Sequence, residues 1–278
     1  MSYRKRHIKK RIYRTRPKKS ILKKAWFWLS ILAIFVVLAV SYLLLFFSGF
    51  QVSEVIVSGN EKIGTGQLEK IAFNDINKKI INLGFLEVKT SSIFLLDANK
   101  LSSKILDEFA AVKTVNVEKK FFNSVIINIT ERDPIGAYCD NEEDIQECFL
   151  IDGSGIIFEK LAEEPSGKTI VRQIIANEEI FAGKKIVSEN IIKAIIDIQK
   201  CLKDNYQIEL IEVLITSPLR LNTTTSENWE IYFNLSDEYS IAAQLLKLDL
   251  LLKNEILNED RVGLQYIDLR FKDRAFYK

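Results

Sequence analysis

The folded part of this sequence has no histidine. The only one, His7, lies in a basic stretch at the N-terminus. A Ser-His or Cys-His nucleophile, or a zinc site that needs histidine, is therefore excluded from the rest of the chain. The three cysteines, 139, 148 and 201, form no Cys-x-x-Cys pair and have no metal-ligand spacing. The short glycine turns IGTGQ and DGSG lack the Lys-Ser/Thr of a phosphate loop. The acids Glu142-Glu143-Asp144 and Glu163-Glu164 are neighbours within polar loop segments. Glycan hydrolysis needs two carboxylates that converge across a cleft, about 5–10 Å apart, and nothing in their spacing provides that. These absences point away from an enzyme, and from a cofactor, a metal or a small-molecule substrate.

Two further absences orient the chain. Residues 1–24 hold twelve Lys or Arg and no acid, which leaves 27 Lys and Arg against 37 Asp and Glu, a charge of about −10, for the rest. A cationic tail on an acidic body is a contact or targeting signal, since no fold requires it. From Ala25 to Phe47 no residue is charged. About 20 apolar residues span the hydrocarbon core as a helix, whereas the apolar region of a cleaved signal peptide runs only about 7–15. No small-x-small cleavage site follows. Trp26, Phe27 and Trp28 at one end and Phe46 and Phe47 at the other suit the two interfaces. Cytoplasmic flanks are rich in Lys and Arg, so the tail is expected inside and residues 48–278 outside the membrane. Nucleic-acid binding is the tail's rival reading, but Tyr3 and Tyr13 belong to no recognisable module.

Beyond the anchor, QVSEVIVSGN reads as a strand ended by a Gly59-Asn60 turn. Leu68, Ile71 and Ala72 recur at helical spacing. Asp97 is a candidate N-cap for a helix that carries Leu101, Ile105, Leu106 and Phe109. Val115 and Val117, then Val125, Ile127 and Ile129, mark the inner faces of two strands joined near Asn123. The order is strand, helix, helix, strand, strand. Two more strands flank the Asp152–Gly155 turn. A helix over about 189–202 carries Ile191, Ile195, Ile198 and Leu202, and a second over about 236–256, opened by Asp237 and Glu238, carries Ile241, Leu245, Leu248 and Leu252. Strands are expected at Ile231-Phe233-Leu235 and at the end, where Ile267, Leu269 and Phe271 alternate with Tyr266, Asp268 and Arg270. The fold class is α+β. Cys139 and Cys148 bracket a polar loop on the oxidising side, and two readings stand, a disulfide closing the loop or two buried thiols.

The segment Glu131-Arg132-Asp133-Pro134 packs charge together as an active site would. We read it instead as a boundary. Ile129 ends the buried alternation, and Pro134 cannot donate to a ladder and fixes the exit angle. Glu131, Arg132 and Pro134 are the expected interdomain hinge.

Four stretches in this order, FQVSEVIVSGN (50–60), VKTVNVEKKFFNSVIINITERDPIGAY (112–138), FLIDGSGIIFEK (149–160) and YIDLRF (266–271), resemble the bacterial cell-division family FtsQ, called DivIB in Gram-positive species. The family pattern is Val-x-Gly-Asn, Glu-Arg-x-Pro, an Asp-x-x-Gly hairpin and a Tyr-(Val/Ile)-Asp-Leu-Arg strand. The resemblance implies a cytoplasmic tail at 1–24, a transmembrane helix at 25–47, an extracytoplasmic POTRA domain at 50–131 and an FtsQ/DivIB-type β domain at 132–278 with an antiparallel sheet. It also implies a single-pass membrane protein at the division septum that binds FtsB- and FtsL-like partners and helps control the septal peptidoglycan synthase complex. A strand over 265–277 is the expected sheet edge, with Tyr266, Asp268, Arg270 and Phe271 as the candidate partner-binding residues. The alternative is a POTRA-type chaperone for an envelope secretion or outer-membrane machine, which would ordinarily use tandem POTRA repeats or a β-barrel.

Overall fold

The charge-free run folds as one helix, α1 (Ala25–Phe46), in a computed structural model that describes residues 24–82, 87–140, 147–163, 165–174, 179–236 and 238–278. The basic tail, most of the 139–148 loop and Asp237 lie outside the described residues. At ~1.5 Å per residue a helix of 22 residues is ~33 Å long, long enough and apolar enough to cross a membrane. None of its residues is buried.

The remaining elements follow in chain order. They are β1 (Glu54–Ser58), α2 (Thr65–Ile76), β2 (Lys78–Asn82), β3 (Glu87–Thr90), α3 (Ala98–Glu108), β4 (Val112–Lys120), β5 (Ser124–Glu131), β6 (Pro134–Cys139), β7 (Cys148–Asp152), β8 (Ile157–Lys160) and β9 (Ile170–Gln173). After these come α4 (Glu189–Tyr206), β10 (Leu210–Ser217), β11 (Arg220–Thr225), β12 (Glu230–Asn234), α5 (Ile241–Asn254), β13 (Tyr266–Asp268) and β14 (Phe276–Tyr277). The chain clusters into two compact units.

One unit comprises Met1–Glu54, Asn74–Leu96 and Lys120–Ser124. It holds α1, the turn after it, and the antiparallel pairing of β2 with β3, where Lys78 opposes Thr90 and Lys79 opposes Lys89. This hairpin is absent from the expected strand, helix, helix, strand, strand order, which becomes strand, helix, hairpin, helix, strand, strand.

The other unit comprises Val55–Phe73, Asp97–Lys119 and Val125–Lys278. A three-stranded sheet runs β1-β5-β4. Its alternation is as the spacing implies: Val125, Ile127 and Ile129 are buried while Asn128 and Thr130 face solvent. Asp97 caps α3 by accepting the N–H of Lys100 (3.2 Å), and Leu101 and Ile105 form the buried face. Gly59 sits at φ +79° in the turn after β1, and a Cβ there would lie 2.0 Å from the Ile129 carbonyl oxygen, so only glycine fits.

The rest of that unit is built on a nine-stranded sheet, β14-β13-β12-β11-β10-β9-β6-β7-β8. The sheet is mixed. β9 runs parallel to both β6 and β10, and β13 parallel to β12, while the other pairs are antiparallel. The expected antiparallel sheet is thus only partly realised, because β9 and β13 each return to the sheet after a long connection. α4 packs on β10 and α5 on β12. Ile192, Ile195, Ile198 and Leu202 of α4, with Leu248 and Leu252 of α5, share one core with Trp229, Ile231, Phe233, Ile267 and Leu269. Ile191 is only half-buried, one position off the inner stripe taken by Ile192. α4 runs to Tyr206 and stops where Gln207 adopts the left-handed conformation.

Candidate functional site

Two places gather the residues singled out from the sequence. The first is the corner where β5 ends. Glu131 is the last residue of that strand, and its Oε1 accepts the N–H groups of Glu61 (3.0 Å), Lys62 (3.1 Å) and Ile63 (3.0 Å). Three successive backbone donors around one carboxylate make an anion nest. Burial pushes the Glu131 carboxyl up, but the donated N–H groups of Ile63, Lys62 and Glu61 outweigh it and hold the group below its usual range. Arg132 continues the chain. Its backbone N–H donates to Ala111 (2.8 Å), its Nε to the Ala110 carbonyl (2.9 Å), and one terminal nitrogen to Asp152 Oδ2 (2.6 Å). The side chains of this pair are only 13 % and 3 % exposed.

Asp152 is doubly used. Its other oxygen accepts the N–H groups of Ser154 (2.8 Å) and Ile156 (3.0 Å), closing the turn between β7 and β8. In that turn Gly155, at φ +81°, has the Val187 carbonyl oxygen 2.0 Å from where a Cβ would lie. Pro134 opens β6 opposite Asp152, the place in a strand where a missing N–H costs least. Glu131, Arg132 and Pro134 are therefore tied to segments that precede and follow them in the chain, Glu61–Ile63 and Ala110–Ala111 before and Asp152 after, and together they form a clasp.

The second place is the end of the nine-stranded sheet. The segment 265–277 is two strands and not the single one expected. Ile267 and Leu269 are buried, but the chain then turns back, and β14 pairs with β13 in antiparallel fashion, Ile267 opposite Tyr277 and Asp268 opposite Phe276. Two contacts explain the reversal. Asp268 Oδ1 accepts the backbone N–H of Arg270 (3.1 Å) in a local turn. Lys247 of α5 donates its ammonium to the carbonyl of Phe271, and more weakly to that of Arg274 (3.4 Å). Phe271 consequently leaves the buried alternation. Its ring is half exposed and meets the edge of Phe276 at 5.2 Å.

On the outer face of this end, the ring of Tyr232 stacks on that of Tyr266 (centroids 5.7 Å), with the guanidinium groups of Arg270 and Arg220 5.3 and 5.9 Å from the Tyr232 centroid. Arg270 Nε also donates to Asp268 Oδ1 (2.8 Å). Burial pushes the Asp268 carboxyl up, but Arg270 overrides it and keeps the carboxyl below its ordinary range, while Asp268 raises Arg270 in turn. The Tyr232 hydroxyl donates to Glu230 (2.6 Å), and this bond, with burial, pushes its pKa up to about 12. Tyr232, Arg220 and Lys247 were not singled out from the sequence. Tyr232 was open to detection as the outward residue between Ile231 and Phe233; Arg220 and Lys247 reach the site only through the fold.

Cys139 and Cys148 stand opposite each other on β6 and β7, and the structure joins their sulfurs, with Cα atoms 4.2 Å apart. Cys201 is half-buried on α4, and burial pushes its thiol up. An open cleft of about 740 Å³ lies beside α4, bordered by Ile135, Thr169, Gln199, Lys200 and Leu210. Among the described residues, no three His, Cys, Asp or Glu gather to hold a metal.

Residues 50–132 match the family model described as the POTRA domain, FtsQ-type. The matched segment opens at the turn after α1 and closes on Arg132 of the clasp, and residues 133–278 fall outside it. No curated protein matches the chain. The chain thus carries an FtsQ-type POTRA domain, which supports its recognition in the FtsQ/DivIB family. That family is a non-enzymatic scaffold family with a cell-division-related role in protein interaction. One apolar N-terminal helix followed by such a domain fits a membrane-anchored division protein.

Proposed function

We propose that this protein is a single-pass scaffold of the bacterial division machinery, with its N-terminus in the cytoplasm and its folded mass outside, and that it binds a partner by strand addition at the β14 end of its large sheet. The observation that carries this reading is the way the sheet ends. β14 has two residues and is the outermost strand. The N–H of Lys278 donates to the Tyr266 carbonyl (3.2 Å) and the Tyr266 N–H to Lys278 (3.4 Å). The alternation of an antiparallel ladder then turns the N–H and C=O of Tyr277 outward. Such an edge accepts an extended segment. Tyr266, Arg270 and Phe271 would read its side chains, with Asp268 holding Arg270 in place. The family resemblance names FtsB- and FtsL-like proteins as the partners and control of septal peptidoglycan synthesis as the outcome.

Tyr277→Pro removes one outward donor while leaving the inward bonds of Lys278 to form. A net hydrogen bond is worth about 1 kcal/mol, so affinity for the extracytoplasmic segment of an FtsB-like partner should fall about fivefold. Tyr277→Ala, which keeps the N–H, should fall less. Equal affinity of wild type and a folded Tyr277→Pro variant would rule out strand addition here. A fluorescent fusion should gather at midcell, and uniform membrane fluorescence would count against the division role.

A further inference from the structure

The unit that contains α1 carries an aromatic patch that neither the fold nor the proposed partner site uses. The carbonyls of the last turn of a helix have no partner within the helix. Here the chain beyond α1 supplies them. Gln51 Nε2 donates to the Leu45 carbonyl (2.7 Å), Thr90 Oγ1 donates to the same oxygen, and Ser92 Oγ donates to Leu44 (2.7 Å). Backbone bonds from Val52 to Ser91 (2.9 Å) and from Ile93 to Phe50 (3.0 Å) lock the chain after the helix onto the chain after β3. The helix end is therefore clamped, with no loose tether between it and this unit.

Against that clamp lies a chain of rings. Phe47 meets Phe50 at 5.5 Å, Phe50 meets Phe94 at 5.2 Å and Phe122 at 6.2 Å, and Phe94 meets Phe121 at 5.8 Å. Buried rings would be ordinary core. These are not, for Phe47, Phe94, Phe121 and Phe122 are 51, 43, 58 and 67 % exposed. An exposed apolar patch of this kind marks an interaction surface. Its place fixes which one. The rings start at the residue after α1 and continue within three ring contacts of it, so they share the depth at which a helix ~33 Å long reaches the headgroup boundary. Exposed Lys120 directly precedes Phe121, and Lys78 donates to the Leu95 carbonyl (2.5 Å), next to Phe94. Aromatic rings bordered by lysines are the composition of an interfacial anchor on anionic lipid.

We propose that Phe94, Phe121 and Phe122, with Phe47 and Phe50, form a second membrane contact that seats this unit in the headgroup and upper acyl region of the outer leaflet; the proposal rests on reading α1 as a membrane span. The test uses the full-length protein with Cys201 replaced by serine, reconstituted into vesicles of phosphatidylcholine and phosphatidylglycerol. An environment-sensitive fluorophore is placed in turn at Lys120→Cys, at Leu38→Cys within α1, and at Lys272→Cys, between β13 and β14 of the other unit. Lipids with a nitroxide high on the acyl chain should quench the label at 120 at least threefold more than the label at 272, and lipids with a deep nitroxide should quench the label at 38. Phe94→Gln/Phe121→Gln/Phe122→Gln should return the label at 120 to the level of the label at 272 and leave the label at 38 unchanged. If the label at 38 escapes quenching, the membrane span itself fails. If it is quenched while the labels at 120 and 272 behave alike, the span stands and the lipid contact is overturned, leaving the rings to face a protein.

Discussion

Arg132→Ala is expected to destabilise the unit that holds it by about 3 kcal/mol, at the lower end of what breaking a buried ion pair costs. The reason is what stays behind. With Arg132 gone, Asp152, whose side chain is 3 % exposed, keeps its bonds from Ser154 and Ile156 but loses its ion-pair partner, and the Ala110 carbonyl loses a donor. The retained N–H bonds are why the loss sits at the low end. Arg132→Lys should recover part of it, since an ammonium can reach Asp152 or Ala110 but does not fork to both. Lys62→Ala is the matched control. Its ion pair with Glu159 is longer (3.8 Å) and both side chains are about half exposed, so its loss should cost less than about 1 kcal/mol. Urea unfolding followed by far-ultraviolet circular dichroism in detergent measures all three. Equal midpoints for Arg132→Ala and Lys62→Ala would mean that the corner is no clasp. Glu131 adds a pH signature. Its carboxyl lies below the usual range in the folded chain, so its contribution is complete above the ordinary carboxylate pKa and is lost as pH falls through the lowered folded value. Glu131→Gln should flatten that acid decline.

What was legible in the sequence was whatever depends on near neighbours. The absence of charge over 25–47 gave α1, the short side chain of Asp97 gave the start of α3, and the two-residue alternation of Val125, Ile127 and Ile129 gave β5. What was hidden depends on distant partners. β2 and β3 are short strands in which lysines interrupt the apolar residues, so no apolar period marks them. β9 is four residues long and lies between β6 and β10, more than thirty residues away on either side. Gln244 reads as a polar break in the apolar stripe of α5, yet it is 2 % exposed because it bonds the backbone of Asn234 in both directions (3.0 and 2.7 Å). The candidate site follows the same division. That Pro134 cannot continue the β5 ladder was legible in Glu131-Arg132-Asp133-Pro134, but the choice of Asp152 as the partner of Arg132 is tertiary. The alternation of Tyr266, Asp268 and Arg270 with Ile267 and Leu269 was legible, but the burial of Asp268 beside Arg270, and the reversal that turns Phe271 outward through Lys247 of another helix, are tertiary.

Arg270→Glu is expected to lower partner affinity tenfold or more, and it separates charge from shape at the sheet end. In the wild type, Arg270 spans Asp268 and the ring of Tyr232, so one side chain neutralises a nearly buried carboxylate and presents a cation beside stacked rings. Glutamate reverses the charge, repels Asp268 and vacates the ring face. The fold should survive, because the backbone N–H of residue 270 still donates to Asp268 and the substituted side chain, 29 % exposed in the wild type, can turn to water. A stability loss of about 2 kcal/mol is the expected order for a broken, partly buried pair. The pH dependence of that loss identifies its cause. The wild-type contribution of Asp268 is full above the ordinary carboxylate pKa and is lost as pH falls through its depressed folded value. The variant never has that contribution, so the two unfolding midpoints should converge in acid. Arg270→Gln completes the comparison, since it keeps a donor for Asp268 without the charge. If the partner reads the cation, Arg270→Gln and Arg270→Glu both lose affinity, the latter more. If it reads only the backbone edge, both bind as wild type while Tyr277→Pro still binds more weakly, and recognition then lies in the ladder alone.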